Sequence, residues 1–157
     1  MENVRLKAHF SCNGRLRSDQ FLEGFEARAD NTVLPVSVDS EKIAIQGYDT
    51  VAYFTDGKAV KGSSAFESKW MGSRWQFANA EHRDMFTQNP DAYAPRFGGY
   101  CVMAMVNGEI FRANPLAWVI IDGKLYLNSA PGDAVAFQRR SAEYIQKAEE
   151  TWKAVNQ

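Results

Sequence analysis

Residues 118–127 read WVIIDGKLYL, and this stretch carries the clearest structural signal in the chain. Apolar residues flank the dipeptide Asp122-Gly123, which suits the tight type I′ turn of a β-hairpin. The sequence therefore predicts two antiparallel strands here, one over Trp118–Ile121 and the other over Lys124–Leu127. At least part of the fold is expected to be an antiparallel sheet.

A second hairpin is predicted closer to the N-terminus. The segments Phe66–Trp70 and Arg74–Phe77 stand on either side of a turn that contains Gly72. Both segments hold aromatic residues, and aromatic side chains fit a half-buried pleated surface. The two segments are therefore predicted to pair as strands.

Helical signals lie between and after the hairpins. Asn79 can cap a helix over Ala80–Gln88, which Asn89-Pro90 ends, and Asp91–Ala94 can add one more turn. After Pro131, apolar residues keep helical spacing over about six turns, which predicts a long C-terminal helix. The predicted fold class is α+β: a single compact domain with short antiparallel hairpins, short helices and a long C-terminal helix.

Composition limits the classes of function. The chain has 157 residues, of which 45% are hydrophobic and 24% charged, as in ordinary globular domains. A formal net charge of −1 gives no field that attracts nucleic acid. No apolar run approaches the roughly 18 residues of a membrane span, and no charged start with an apolar stretch marks a signal peptide. The sequence as it stands predicts a soluble, cytoplasmic protein.

Two regions of the chain differ in their content of apolar residues. Residues 1–40 have sparse apolar residues and read as an N-terminal appendage, whereas residues 41–157 read as the main domain, including the C-terminal helix. Within the appendage, a short amphipathic helix is predicted after a potential N-cap at Ser18. Its apolar positions are Leu16, Phe21, Leu22, Phe25 and Ala29.

The chain has two cysteines, Cys12 and Cys101, which are too few for a secreted disulfide scaffold. Cys101 follows the pair Gly98-Gly99, a setting that can present a thiol. If Cys101–Val106 is a strand, Cys101, Met103 and Met105 share one face and gather three soft ligands. If the segment is a helix, which the glycines favour, the thiol lies in its first turn, where the helix dipole favours the thiolate.

These residues predict a site for a soft transition metal, with copper as the expected ion. His82, in the helix that precedes the segment, can join Cys101 and one of Met103 or Met105 as a ligand. The alternative is that His82 lies on the surface of its helix, while the methionines and Cys101 fill the core. The chain contains no CxxC or HExxH motif that would decide between these interpretations.

Catalysis has less support in the sequence. A nucleophilic Cys101 needs a base beside it, and His9 and His82 are the only two histidines. The carboxylates Asp49, Glu81 and Asp122 are typical of solvated caps beside turns. The sequence leans away from an enzyme, but it leaves the question open.

Aromatic residues provide a further candidate site, because they can line a pocket for an apolar ligand as well as fill a core. The residues expected to line such a pocket are Tyr48, Asp49, Tyr53, Tyr100 and Trp118.

Several motifs occur in one order along the chain. They are GYDTVAYF at residues 47–54, WQF at 75–77, NP at 89–90, FGGYC at 97–101, NP at 114–115 and DGKLYLN at 122–128. Together they resemble the YHS domain-containing proteins, specifically the small bacterial stand-alone branch, over about residues 43–128.

The resemblance implies a link to heavy-metal handling and, for this branch, frequent export to the periplasm. It also shows departures from the family pattern. Ala52 and Ala78 replace two cysteines of the family's metal motif, and His82 stands where a third would be. Asn114 replaces an aspartate that is common in the branch. Cys101 belongs to the branch but lies outside that motif.

Three functions are compatible with these features. The leading one is a non-enzymatic binding module of the YHS type, which takes a metal ion such as copper through Cys101 or a small ligand. The second is a thiol-dependent redox protein or enzyme that uses Cys101. The third is a protein-interaction domain with an aromatic face. The sequence leaves the oligomeric state open.

Overall fold

Two β-hairpins and the helices around them make up the fold in the computed structural model, which describes residues 33–156. The fold class is α+β, as the sequence predicts. The helix predicted within residues 16–29 lies outside the described residues. None of the helices within residues 33–156 is long and apolar enough to cross a membrane.

Both predicted hairpins are confirmed. Strand β1 (Ser63–Trp70) pairs antiparallel with β2 (Ser73–Phe77), and β3 (Asn114–Ile121) pairs antiparallel with β4 (Lys124–Asn128). Each first strand begins earlier than predicted and contains an irregularity in its register. Asp122-Gly123 has positive φ at both residues, 51° and 77°, as a type I′ turn requires.

The helices are short except at the C-terminus. They are α1 (Thr50–Thr55), α2 (Ala80–Gln88), α3 (Pro90–Tyr93), α4 (Val102–Val106), α5 (Pro131–Arg139) and α6 (Ser141–Val155). The Asn79 side chain accepts from the His82 N–H at 2.8 Å, which confirms the predicted cap of α2. The six residues of α1 are too few to show a helical period in the sequence.

The C-terminal helix differs from the prediction in one respect. The structure divides the predicted continuous helix at Arg140, whose φ of −132° and ψ of 40° are not helical. α5 packs against β3 and α6 packs against α4. The bend lets Phe137 and Ala148, both fully buried, contribute to the same core cluster from two directions.

Residues 33–40, which the sequence pattern assigns to the appendage, pack on the main domain. The compact unit starts at Val33. Val36 is buried, and the Ser37 N–H donates to the Gly98 carbonyl at 2.8 Å. This short segment therefore runs along the glycine pair that precedes Cys101.

The core consists of two clusters. The first core cluster includes Val51, Tyr53, Trp75, Phe77, Phe86, Cys101, Leu125 and Leu127. The second core cluster includes Phe97, Val102, Met105, Val119, Tyr126, Phe137 and Ala148. Phe97 and Cys101 belong to different clusters although only three residues separate them. The segment between them thus runs along the boundary of the two clusters.

Candidate functional site

Asp49 is a fully buried carboxylate with several hydrogen-bond partners. Its Oδ1 accepts from the N–H groups of Val51 at 2.9 Å and Ala52 at 3.1 Å, which caps α1. Its Oδ2 accepts from the Ala78 N–H at 2.9 Å and lies 2.7 Å from His82 Nδ1. One side chain therefore ties together the start of α1, the end of β2 and α2.

His82 is not the surface residue that one interpretation of the sequence suggests. It is only 7% exposed, and Asp49 orients its ring through Nδ1. Its Nε2 lies 3.3 Å from Thr55 Oγ1 and 4.0 Å from Asp56 Oδ1. An aspartate, an imidazole and a hydroxyl therefore stand in the order seen in nucleophilic catalytic triads.

The Thr55 hydroxyl has only one proton, and two oxygen acceptors lie within reach of it. Besides His82 Nε2, the Val51 carbonyl lies at 3.2 Å and Asp56 Oδ1 at 2.9 Å. A hydroxyl held at the end of a helix by these acceptors is poorly suited to attack a substrate. We therefore interpret Asp49 and His82 as a structural clamp between α1 and α2.

The other two carboxylates singled out in the sequence, Glu81 and Asp122, are exposed, as expected for solvated caps. Asp49 departs from that expectation: it is a cap, but a buried one.

Cys101 is at the N-cap position of α4, so the helical alternative for residues 101–106 is the one observed. The residue is 2% exposed and belongs to the first core cluster. Its side chain makes no cap hydrogen bond. Met105 is fully buried in the second core cluster, and Met103 packs against both clusters. Because the segment is helical, the three sulfurs do not share one strand face.

The metal-binding prediction gains no support from the geometry. Among residues 33–156, no group of three or more His, Cys, Asp or Glu side chains is placed to hold a metal ion. His82 Nδ1 is already engaged by Asp49. Copper binding through Cys101, His82, Met103 and Met105 therefore stays a prediction.

A cavity of about 420 Å³ opens beside the boundary of the two core clusters. Its aromatic lining comes from the turn region of the first hairpin, from Phe97 and from α6: the four side chains are Trp70, Trp75, Phe97 and Trp152. Charged residues of both signs also line it, namely Asp91, Arg96, Glu149 and Lys153. We call this the aromatic cavity. A smaller cavity of about 210 Å³ shares Asp91, Ala94 and Arg96 with it.

Gly98, the first residue of the glycine pair before Cys101, lines one wall of the aromatic cavity. Phe97, Gly98 and Gly99 all have positive φ, at 57°, 63° and 82°. A Cβ at Gly98 would collide with the carbonyl of Pro35, so only glycine lets residues 35–37 pass at this distance. Phe97 holds the left-handed conformation without being glycine, a strain of about 1–3 kcal/mol. The glycine pair therefore allows residues 35–37 to pack closely, and it does not expose the Cys101 thiol.

The five residues predicted to line a pocket lie elsewhere, and none of them lines either cavity. Tyr53 packs against Trp118 with ring centroids 5.1 Å apart, and its hydroxyl donates to the Pro115 carbonyl at 2.7 Å. Burial, with smaller contributions from Tyr48 and Asp49, raises the pKa of the Tyr53 hydroxyl. The Tyr100 hydroxyl donates to the Leu34 carbonyl, and burial raises its pKa as well.

The aromatic cavity was not predictable as a unit, because residues from four separate parts of the chain line it. One signal was present in the sequence: the apolar face of the C-terminal helix includes Trp152, a large side chain in the last turn of that helix. Nothing in the sequence places that helix end against Trp70 and Trp75.

Comparison of the chain with protein-family models, with curated proteins and with solved structures found no match.

Proposed function

We propose that this protein is a non-enzymatic binding module of the YHS type that holds a small, flat, apolar ligand in the aromatic cavity. The observation that carries this proposal is the cavity itself, whose volume of about 420 Å³ lies in the range of small-molecule sites. Four aromatic side chains line it, and they come from three parts of the chain that are far apart in sequence.

The lining indicates the chemistry of the ligand. Trp70 and Trp152 are partly exposed, whereas Trp75 and Phe97 are only 1% and 6% exposed and form the floor behind them. Planar apolar groups pack on such exposed indole rings in offset or edge-on arrangements. Phe97 and Trp152 already meet edge to face, with ring centroids 6.2 Å apart. Arg96 and Lys153 are exposed at the rim, so a polar substituent on the ligand can point outward to them.

Several observations favour binding over catalysis. The clamp residues Asp49 and His82 do not line the aromatic cavity, and neither does Cys101. Cys101 is 2% exposed, whereas a reactive thiol needs access to its substrate. The alternative of a thiol-dependent enzyme or redox protein is therefore less well supported than a binding role.

Titration of the protein with a library of small aromatic fragments, followed by ligand-observed NMR and by tryptophan fluorescence, tests the proposal. We expect at least one fragment class to bind with a Kd below about 1 mM. Trp152→Ala should weaken that binding by about tenfold or more, because a hot-spot aromatic is lost. Phe111→Ala is the matched control, since Phe111 is 54% exposed and does not line the cavity.

Two outcomes would remove the proposal: no fragment binds the wild type, or Trp152→Ala binds as tightly as Phe111→Ala. Thermal melts of both variants guard against misreading an unfolded protein as a non-binding one.

The copper alternative has its own test in the Cu(I) affinity of the wild type and of Cys101→Ser. Equal and negligible affinities would dismiss it.

A further inference from the structure

Two fully buried polar side chains, Thr50 and Asn128, have atoms without a hydrogen-bond partner in the part of the chain that the structure describes. The atoms are Thr50 Oγ1 and both Oδ1 and Nδ2 of Asn128. An asparagine amide offers two donors and one acceptor with two lone pairs. Folded proteins rarely bury such an amide without hydrogen bonds, because the amide loses the hydrogen bonds that it made to water in the unfolded chain. Each orphaned group therefore calls for a partner.

The two residues belong to different elements, because Thr50 begins α1 and Asn128 ends β4. Hydrogen bonds on both sides of Thr50 fasten this part of the chain to the start of β3. Gln46 Nε2 donates to the Ala113 carbonyl at 3.0 Å, and the Tyr53 hydroxyl donates to the Pro115 carbonyl at 2.7 Å.

Asn114 lies between those two carbonyls in sequence and is the cross-strand partner of Asn128. The segment that contains Thr50 is therefore held against the start of β3, and Asn128 is paired with that same part of β3. The side chain of Asn114 is already occupied there, since its Oδ1 accepts from the Leu116 N–H at 2.9 Å.

We propose that an ordered water molecule is bound between Thr50 Oγ1 and the Asn128 side-chain amide, and that it joins α1 to the second hairpin. Water fits this site because it donates and accepts, as both side chains do. Buried waters in folded proteins typically make two to four hydrogen bonds to such groups. The neighbouring residues Val51 and Leu127 are almost fully buried, so bulk solvent does not serve these atoms.

A crystal structure of the wild-type protein at about 1.5 Å resolution tests the proposal directly. We expect a water within about 2.7–3.2 Å of both Thr50 Oγ1 and an Asn128 side-chain atom. Direct hydrogen bonds from Thr50 and Asn128 to protein atoms, with no water between them, would overturn it. This test needs no variant and so does not depend on whether Asn128 tolerates substitution.

A double-mutant cycle with Thr50→Val and Asn128→Leu provides a second test. Replacing either residue alone leaves the water and the other polar side chain without a hydrogen-bond partner, whereas replacing both removes the polar site. The double variant should therefore be less destabilised than the two singles combined, by about threefold or more in the unfolding equilibrium constant.

Thr87→Val is the matched control for the cycle, because its hydroxyl is exposed and already bonds to the Arg83 carbonyl at 2.8 Å. Its effect should combine additively with that of Asn128→Leu. Additivity in the Thr50 cycle as well would count against a shared water.

Discussion

The N-cap positions of α1 and α4 are both buried, yet they are held in opposite ways. Asp49, before α1, is 0% exposed and its carboxylate has hydrogen-bond partners on α1, on α2 and at the end of β2. Cys101, before α4, is 2% exposed and its side chain makes no cap hydrogen bond. The carboxylate is held by polar contacts, and the thiol by packing.

The residue with the more reactive side chain, Cys101, is therefore not the one that holds more of the structure together. A cysteine after two glycines attracts attention as a potential ligand or nucleophile, but here the thiol acts as a small apolar group. An aspartate beside a turn looks like an ordinary solvated cap, but this one is fully buried, and its loss leaves several donors without a partner. Substitutions at these positions test that contrast.

Replacing Asp49 with alanine should have the largest effect. It removes the cap of α1 and leaves the Ala78 N–H and His82 Nδ1 without their acceptor. We expect the free energy of unfolding to fall by about 3–5 kcal/mol, because a helix cap is lost and two further buried donors lose their acceptor. Urea denaturation followed by circular dichroism measures it.

Asp39→Ala is the matched control for that substitution. Asp39 also accepts from two backbone N–H groups, those of Glu41 and Ile43, but it is only partly buried. We expect its loss to cost about 1 kcal/mol. Equal effects at Asp49 and Asp39 would show that the buried clamp adds nothing to an ordinary cap.

His82→Ala should destabilise the fold by about 2–4 kcal/mol, because it leaves the buried Asp49 carboxylate with fewer donors. In combination with Asp49→Ala, the total loss should fall short of the sum by about 1–3 kcal/mol, since both changes break the same contact. The same denaturation experiment reports this. Simple additivity would mean that the two side chains do not act as one clamp.

Cys101→Ala should cost about 1–2 kcal/mol, the range for losing a small buried group. Cys101→Ser should cost more, because it buries a hydroxyl where the thiol made no cap hydrogen bond. In a Cys12→Ser background, the native thiol should react with a disulfide reagent at least about a hundredfold more slowly than in urea. A serine variant as stable as wild type, or rapid native labelling, would contradict the apolar role.

Tyr53→Phe should have the smallest effect at neutral pH, about 1 kcal/mol for one hydrogen bond. The substitution is best recognised from how the free energy of unfolding changes at alkaline pH. Burial raises the pKa of Tyr53 in the folded state above its ordinary value of 10.0. Below pH 10 the Tyr53 hydroxyl is protonated in both the folded and the unfolded states. Above pH 10 it ionises first in the unfolded state, so the wild type loses stability as the pH rises past 10.

The phenylalanine variant should therefore lose less stability than the wild type between about pH 9 and pH 11. Parallel pH profiles for the two proteins would show that the Tyr53 hydroxyl ionises as readily in the folded state as in the unfolded one.

Local chemistry in the sequence was sufficient to predict the hairpins and α2. Asp122-Gly123 selects its turn because both residues accept positive φ, and Asn79 begins α2 because its side chain satisfies a free backbone N–H. These signals act within a few residues, so no distant contact is needed to interpret them. The long C-terminal helix was predicted from its period, but its break at Arg140 was not, because packing of α5 and α6 on different elements imposes it.

The sequence by itself therefore determined the α+β class and the residue types available for a site. Only the tertiary structure decided what those residues do. It buried His82 against Asp49, enclosed Cys101 in the core and brought Trp152 to the same cavity as Trp70 and Trp75. The physical reason is that burial and ligand geometry depend on contacts between segments far apart in the chain, and a local pattern does not specify those contacts.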